Sequence, residues 1–158
     1  MSKIKVGIVG VGNCAKSLVE GIQYYNSNPE DKVGLMYPDI GGYTTGDIEF
    51  VIGFDVDRRK VNRPLAEALR ASPNCAMDHV EEILDSGDNS PGAVASGAMV
   101  YSGPELDGIA PWMLEYPEEV SFRTGAEAAK SYDDIVELIK QTKVDVLVNY
   151  LPVGTEKG

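Results

Sequence analysis

The sequence predicts an α/β fold, a parallel β-sheet with crossover helices, and three observations carry that prediction. Short apolar runs rich in Val and Ile recur at residues 5–9, 48–54, 98–101 and 144–149. Segments with apolar residues at helical spacing lie between them, and alternation of this kind gives parallel strands joined by crossover helices. The last run, Val144-Asp145-Val146-Leu147-Val148-Asn149, is so rich in Val and Leu that it is expected to be buried on both faces.

The elements follow in order. Residues 5–9 form the first strand, bounded by Gly10, and residues 14–25 form a helix with Leu18, Ile22 and Tyr25 at helical spacing. The second strand, 48–54, ends in Asp55. A helix begins near Asn62, with Pro64 at a first-turn position where its missing N–H is harmless, and with Leu65, Ala66 and Leu69 on its apolar face. After the strand at 98–101, Ser131 and Asp134 form a capping-box start for a helix that carries Ile135, Val136, Leu138 and Ile139 through Lys140. Two stretches resist regular structure. Residues 27–46 are rich in Gly and Pro yet carry Leu35, Met36, Tyr37, Ile40 and Tyr43, which are expected to pack on something. Residues 73–97 admit a short helix at 79–84, then a polar run at 86–92 that is expected to be mobile and open to proteolysis.

Length and charge exclude several classes. The 158 residues suit one domain, which at this size buries about 70% of the unfolded chain's surface and needs neither disulfide nor metal. Fourteen Lys and Arg stand against 25 Asp and Glu, a net charge of -11, and the basic residues are scattered. No nucleic-acid partner is expected, because a phosphate backbone is neutralised by clustered Lys and Arg. No membrane is expected either, since no stretch approaches the roughly 18 uninterrupted apolar residues of a span. The first apolar run is too short and too broken by Gly for a signal segment, which makes the cytoplasm the default location. Cys14 and Cys75 lack a C-x-x-C pairing and His79 is the one imidazole, so no metal site is expected and two reduced thiols suit the cytosol.

Gly10-Val11-Gly12-Asn13-Cys14-Ala15 matches G-x-G-x-x-A directly after the first strand and at the opening of the first helix, where a dinucleotide-binding, Rossmann-type fold carries it. Gly10 permits the tight turn, Gly12 lets a pyrophosphate approach the backbone, and Ala15 lets the helix pack close to the strand. The pyrophosphate then meets N–H groups at the positive end of a helix dipole. Asp55 stands at the end of the second strand, where a carboxylate accepts hydrogen bonds from the adenosine ribose. It lies 40 positions past Ala15, against a usual spacing of about 20 from the glycines, and an excursion at residues 27–46 accounts for the excess. A carboxylate there repels a 2'-phosphate and favours NAD over NADP; Arg58 and Arg59 are the counter-signal, and equally a solvated helix start. Asp57 either shares the ribose or is a turn residue.

The turn Tyr150-Leu151-Pro152-Val153-Gly154 after the last strand is placed to pass beneath the nicotinamide half, although any strand-to-helix turn has the same composition. Residues 103–108 follow the third strand similarly. Asp107 there is either a carboxylate behind the site or half of an Asp-Gly turn. Cys14, near a helix N-terminus, is either a reactive thiol or a small residue beneath the cofactor. His79 reads as a surface helix residue, and Tyr24-Tyr25 as part of the first helix's packing.

These motifs, together with Ser17 to Tyr25, Gly34-Leu35-Met36, Gly42-Tyr43, Asp47 to Val51, Phe54-Asp55-Val56-Asp57, residues 103–109 and residues 144–154, resemble the prokaryotic myo-inositol-1-phosphate synthase family in order over nearly the whole chain. The resemblance implies an NAD-dependent isomerase converting glucose 6-phosphate to inositol phosphate by transient oxidation, enolisation, aldol cyclisation and reduction, for inositol and phospholipid biosynthesis. It implies cofactor contacts at Gly10, Gly12, Asn13, Cys14, Ala15, Asp55, Tyr150, Leu151, Pro152, Val153 and Gly154. It places the family's substrate-binding Lys residues and its tetramerisation domain beyond the matched region, so no catalytic residue carries over, and a homo-oligomer would form through that further part. Residues 1–158 are thus expected to be the NAD-binding domain of a longer enzyme, or a short relative that has lost its chemistry. Residues 74–97 and 112–123 look less family-like. Another NAD-dependent dehydrogenase and a non-catalytic NAD-responsive module are the alternatives.

Overall fold

The computed structural model describes residues 2–83, 93–107, 109, 111–125, 129–152 and 156. Strands β1 (Ile4–Val9), β2 (Ile48–Phe54), β3 (Ala95–Tyr101) and β4 (Val146–Asn149) form one sheet in the order β3-β2-β1-β4. All three pairings are parallel. Helices α1 (Asn13–Ser27), α2 (Leu65–Arg70) and α3 (Tyr132–Thr142) complete the α/β fold. The chain winds outwards from β1 to β3 and then returns past β1 to β4, so the winding reverses between β1 and β4. In doubly wound sheets that switch point, outside the carboxyl ends of the strands, is where ligands bind.

The core lies between the sheet and α1 with α2. Ile8, Phe50 and Val100 from the strands meet Val11, Ala15, Val19, Leu65 and Leu69, all fully buried. The stripe predicted for α1 is only half of its buried face. Ile22 is buried, whereas Leu18 and Tyr25 are half-buried, and Lys16, Glu20 and Gln23 are buried in their place. With Asn13 they make a polar seam beside the apolar one, and that seam binds the segment 75–82. The Asn13 Oδ1 accepts from the backbone N–H of Cys75 and Ala76, Lys16 donates to the Ala76 carbonyl and Asp78, and Gln23 donates to the Glu82 carbonyl.

This seam explains why the helix expected at 79–84 is absent over its described part, residues 79–83. Side chains of α1 and α2 hold the backbone of this segment in an irregular path instead, and take the Val80 carbonyl that a helix would have used. The His79 N–H donates to Glu20, and Arg70 donates to the carbonyls of Val80 and Glu81. Residues 86–92, expected to be mobile, lie outside the described residues.

Four other expectations are corrected. Helix α2 starts at Leu65 rather than near Asn62. Asn62 is left-handed (φ 61°), and residues 62–64 run along β3 instead, with Asn62 donating to the Val100 carbonyl and Val100 donating to that of Arg63. A residue before Pro is biased out of the helical region, which moves the start past Pro64. Strand β3 begins three residues earlier than predicted. Strand β4 begins at Val146 and is not buried on both faces: it pairs with β1 alone among the described residues, and Val146 and Leu147 are 46% and 47% exposed. Of the apolar residues expected to pack in 27–46, Met36, Tyr37, Ile40 and Tyr43 stay exposed, Met36 at 83%, and only Leu35 is half-buried. Polar turn chemistry holds that segment: the Tyr24 and Tyr25 hydroxyls donate to Asp31 and to the Val33 carbonyl, and Ile40 and Tyr43 bridge across left-handed Gly41 and Gly42. The capping box of Ser131 and Asp134 forms as predicted and opens α3.

Candidate functional site

The site begins where three backbone hydrogen bonds carry the sheet one residue past its strands. Gly10 N–H donates to the Phe54 carbonyl (2.9 Å), Asp55 N–H to Tyr101 (3.0 Å) and Tyr150 N–H to Val9 (2.8 Å). The ends of all four strands are thereby locked at one edge. Gly10 has φ +88°, and a Cβ there would lie 3.1 Å from the Tyr150 carbonyl, so conformation and space both demand glycine. Gly12 is the cap of α1, makes no side-chain capping bond, and has open space where a Cβ would stand. An uncapped helix N-terminus beside open space suits the diphosphate of a dinucleotide. Ala15 is fully buried against the sheet.

A cleft of about 400 Å³ runs along this edge. It brings together Gly10, Gly12, Asp55, Tyr150, Leu151 and Pro152, with Val56, Gly103, Pro104 and Phe122 toward the β2–β3 side and Ile135 and Ile139 of α3 beneath. Leu151 N–H donates to Asn149 Oδ1 at 2.8 Å, which pins the turn after β4. Val153 and Gly154 lie outside the described residues. Asn13, Cys14 and Ala15 do not line the cleft: the Asn13 side chain holds residues 75–76, Cys14 is exposed at the first turn of α1, and Ala15 is in the core. Asp107 accepts from the Glu156 N–H at 2.9 Å and does not line the cleft.

The two acidic residues after β2 have different tasks. Asp55 Oδ2 accepts from the Val11 N–H and Oδ1 from the Asp57 N–H, both at 2.8 Å. Each carboxylate oxygen has two acceptor sites, so capacity remains on the face toward the cleft. Asp57 is fully buried and meets Arg59 through that residue's Nε (2.9 Å) and terminal NH2 (2.5 Å), as well as its N–H (2.9 Å) and that of Arg123 (3.1 Å). Burial pushes the Asp57 carboxyl up, but the hydrogen bonds from Arg59 and Arg123 and the charge of Arg59 together hold it below its ordinary value. Arg59 is further committed to the carbonyls of Glu118 and Ser121, and Arg58 faces Glu118 at 3.6 Å. Of its two expected roles Asp57 takes that of the turn residue, its side chain accepting from the Arg59 N–H and its carbonyl from those of Lys60 and Val61, and it also anchors the guanidinium of Arg59, one of the two arginines that were the counter-signal for a 2'-phosphate.

Lys60 and Asn74 were not marked by any motif. Lys60 is fully buried, donates to the Val11 carbonyl (2.7 Å) and to Asn74 Oδ1 (2.9 Å), and lies 3.8 Å from Asp55 Oδ2. Burial lowers its pKa against the raising influence of Asp55 and Asp57. A Lys in a polar post-strand run carries no sequence signal for burial, because its destination depends on a carbonyl 49 residues away. Among the described residues, no group of His, Cys, Asp or Glu could hold a metal ion, and no helix is long and apolar enough to cross a membrane.

No family model matches the chain. It is 41% identical over 159 residues to an inositol-3-phosphate synthase of Corynebacterium glutamicum, an alignment that takes in 99% of this chain. The chain is a relative of the inositol-3-phosphate synthases. Those of Mycolicibacterium smegmatis and Mycobacterium tuberculosis H37Rv are 41% and 40% identical to it, again over 99% of its length. The chain spans 38–39% of the length of these synthases. Among solved structures, a crystal structure of Ari2 superposes with a TM-score of 0.67 at 25% identity, covering 96% of this chain and 38% of that one. A myo-inositol-1-phosphate synthase-related protein from Thermotoga maritima shares the fold with a TM-score of 0.61 at 20% identity, covering 94% and 34%.

Proposed function

We propose that this chain is the NAD-binding part of an inositol-3-phosphate synthase, an enzyme that turns glucose 6-phosphate into 1D-myo-inositol 3-phosphate for inositol and phospholipid biosynthesis. The observation that carries the reading is the meeting, in one cleft, of the Gly10 and Gly12 turn, Asp55 and the turn after β4, in a chain about 40% identical to such synthases over nearly its whole length. When bound, NAD supplies reversible oxidising capacity that is taken up and restored within one cycle. This chain's residues bind and orient it. The first turn of α1 and Gly12 receive the diphosphate, Asp55 accepts from the adenosine ribose hydroxyls, and Val56, Gly103 and Pro104 flank the adenine. Tyr150, Leu151 and Pro152 lie along the other half of the dinucleotide.

NAD is preferred to NADP in this reading because Asp55 repels a 2'-phosphate while Arg59 is spent on Asp57. Asn13 and Cys14, exposed at the first turn of α1, complete the proposed cofactor-contacting set through their N–H groups, together with Val153 and Gly154, which follow the cleft-lining Pro152 in sequence, while the fully buried Ala15 serves by packing α1 against the sheet. The residues that handle the sugar phosphate lie outside this chain, as does the surface through which the enzyme forms a homo-oligomer in the cytoplasm. The test is direct. The purified polypeptide that contains this chain is expected to melt at higher temperature with NAD than with NADP, since a ligand of the folded state stabilises by RT ln(1 + [L]/Kd). It is also expected to form inositol phosphate from glucose 6-phosphate. Equal stabilisation by both dinucleotides overturns the cofactor assignment, and NAD binding without product overturns the synthase.

A further inference from the structure

Val11 is the middle residue of the glycine turn, and the two peptide groups that flank it, Gly10–Val11 and Val11–Gly12, are held from opposite sides. The Val11 N–H donates to Asp55 Oδ2 at 2.8 Å, and its carbonyl accepts from Lys60 Nζ at 2.7 Å and Asn74 Nδ2 at 3.1 Å. The residues on either side are glycines, which impose little conformation of their own. Within the conformation the glycines allow, the Val11–Gly12 peptide takes its orientation from Lys60 and Asn74, and the Gly10–Val11 peptide from Asp55. Lys60 has no exposed surface and does not line the cleft, so it cannot touch a ligand. A fully buried ammonium is costly unless each donor finds a partner, and Lys60 directs its donors at Val11, Asn74 and, more distantly, Asp55. Asn74 also donates to the Leu69 carbonyl at the end of α2, which ties the clamp to the core.

We infer that Lys60 is a positioning residue for the dinucleotide diphosphate: with Asn74 it fixes the Val11 carbonyl and thereby aims the N–H groups at the start of α1 at the phosphates. The inference rests on the NAD reading above and deepens it. It is tested with the purified protein by measuring the Kd of NAD and of adenosine, the latter having a ribose for Asp55 but no phosphate. Lys60→Met fills the same space without a donor. It is expected to weaken NAD about tenfold or more, the size of a lost hydrogen bond to a charged group, and to leave the Kd of adenosine and the circular dichroism spectrum unchanged. Unchanged NAD affinity overturns the inference, and so does an equal loss for NAD and adenosine, which would mark Lys60 as merely structural. If Lys60→Met does not fold, Asn74→Ala decides: a smaller loss confined to NAD supports the clamp, and an unaltered ratio of the two Kd values overturns it. Wild-type protein that binds no NAD refutes the cofactor reading itself, and the inference with it, an outcome distinct from a wild type and variant that bind NAD alike.

Discussion

The two glycines of the turn are expected to fail in opposite ways when substituted. Gly10 sits at φ +88°, and an added Cβ would press at 3.1 Å on the carbonyl carbon and oxygen of Tyr150. That backbone cannot swing aside, because the Tyr150 N–H is bonded to the Val9 carbonyl at 2.8 Å. Left-handed backbone costs a non-glycine residue about 1–2 kcal/mol, and the contact adds to it, so Gly10→Ala is expected to lose about 2 kcal/mol. For a chain of this size that lowers Tm by about 4–8 °C. Gly12 has extended backbone (φ -100°, ψ -162°), caps α1 without a side chain and borders open space. Ser is a better cap than Gly by a few tenths of a kcal/mol, so Gly12→Ser should fold as stably as wild type or slightly more so. Its Oγ nevertheless stands where the diphosphate would approach and takes a first-turn N–H for itself. NAD at about 100 times its Kd stabilises by about 2.7 kcal/mol, a rise in Tm of about 5–11 °C, and Gly12→Ser is expected to lose most of that rise. Thermal melts with and without NAD read both effects. A Gly12→Ser protein with the full NAD rise, or a Gly10→Ala protein melting within about 1 °C of wild type, refutes the reasoning.

Asp57→Asn leaves the guanidinium of Arg59 without its carboxylate and is expected to cost about 3 kcal/mol in urea unfolding, while raising the affinity for NADP relative to NAD; an unchanged ratio of the two affinities would show that Arg59 has no access to a 2'-phosphate. Ser131→Ala removes the cap that accepts from the Asp134 N–H and should cost about 1 kcal/mol, or about 2–4 °C in Tm, measured on the chain without ligand. Stability should fall in acid. Asp57, whose burial is outweighed by Arg59 and Arg123, and Asp134, whose carboxylate accepts from the Ser131 hydroxyl and N–H, both have lowered folded pKa values. Between folded and unfolded values the unfolded chain binds more protons, so their contribution is complete above the unfolded value near ~3.9 and is lost as pH falls through the lower folded value. Urea midpoints followed from pH 7 to 3 check this, and a midpoint that does not move below pH 4 contradicts it.

Where the sequence was legible, the signal was local. Strand β2 was predicted at its observed bounds because an apolar run ends in a lone Asp, and the start of α3 because a Ser and an Asp three apart satisfy each other's backbone. The turn of Gly10 and Gly12 was readable for the same reason, since its conformational demands fall on residues within the turn. What misled was burial. The Val- and Leu-rich composition of 144–149 pointed to a central strand, but β4 stands at an edge of the described sheet. Met36, Tyr37, Ile40 and Tyr43 promised packing that the structure does not make. Lys16, Glu20, Gln23 and Lys60 carry no sequence signal for burial and are buried, because each finds a partner far along the chain.

The amino-acid order alone thus determined the alternation of strands and helices, the glycine turn between β1 and α1, and the placing of Asp55 at the end of β2. These depend on periodicity and on backbone preferences that act over a few residues. Only the tertiary structure decided that Arg59 is tied to Asp57 and that Lys60 stands beneath Val11, because these outcomes turn on which charges meet once the sheet has formed. A carboxylate or an ammonium looks the same in any sequence. Its role follows from whether the fold removes it from water, and from the partner it meets there.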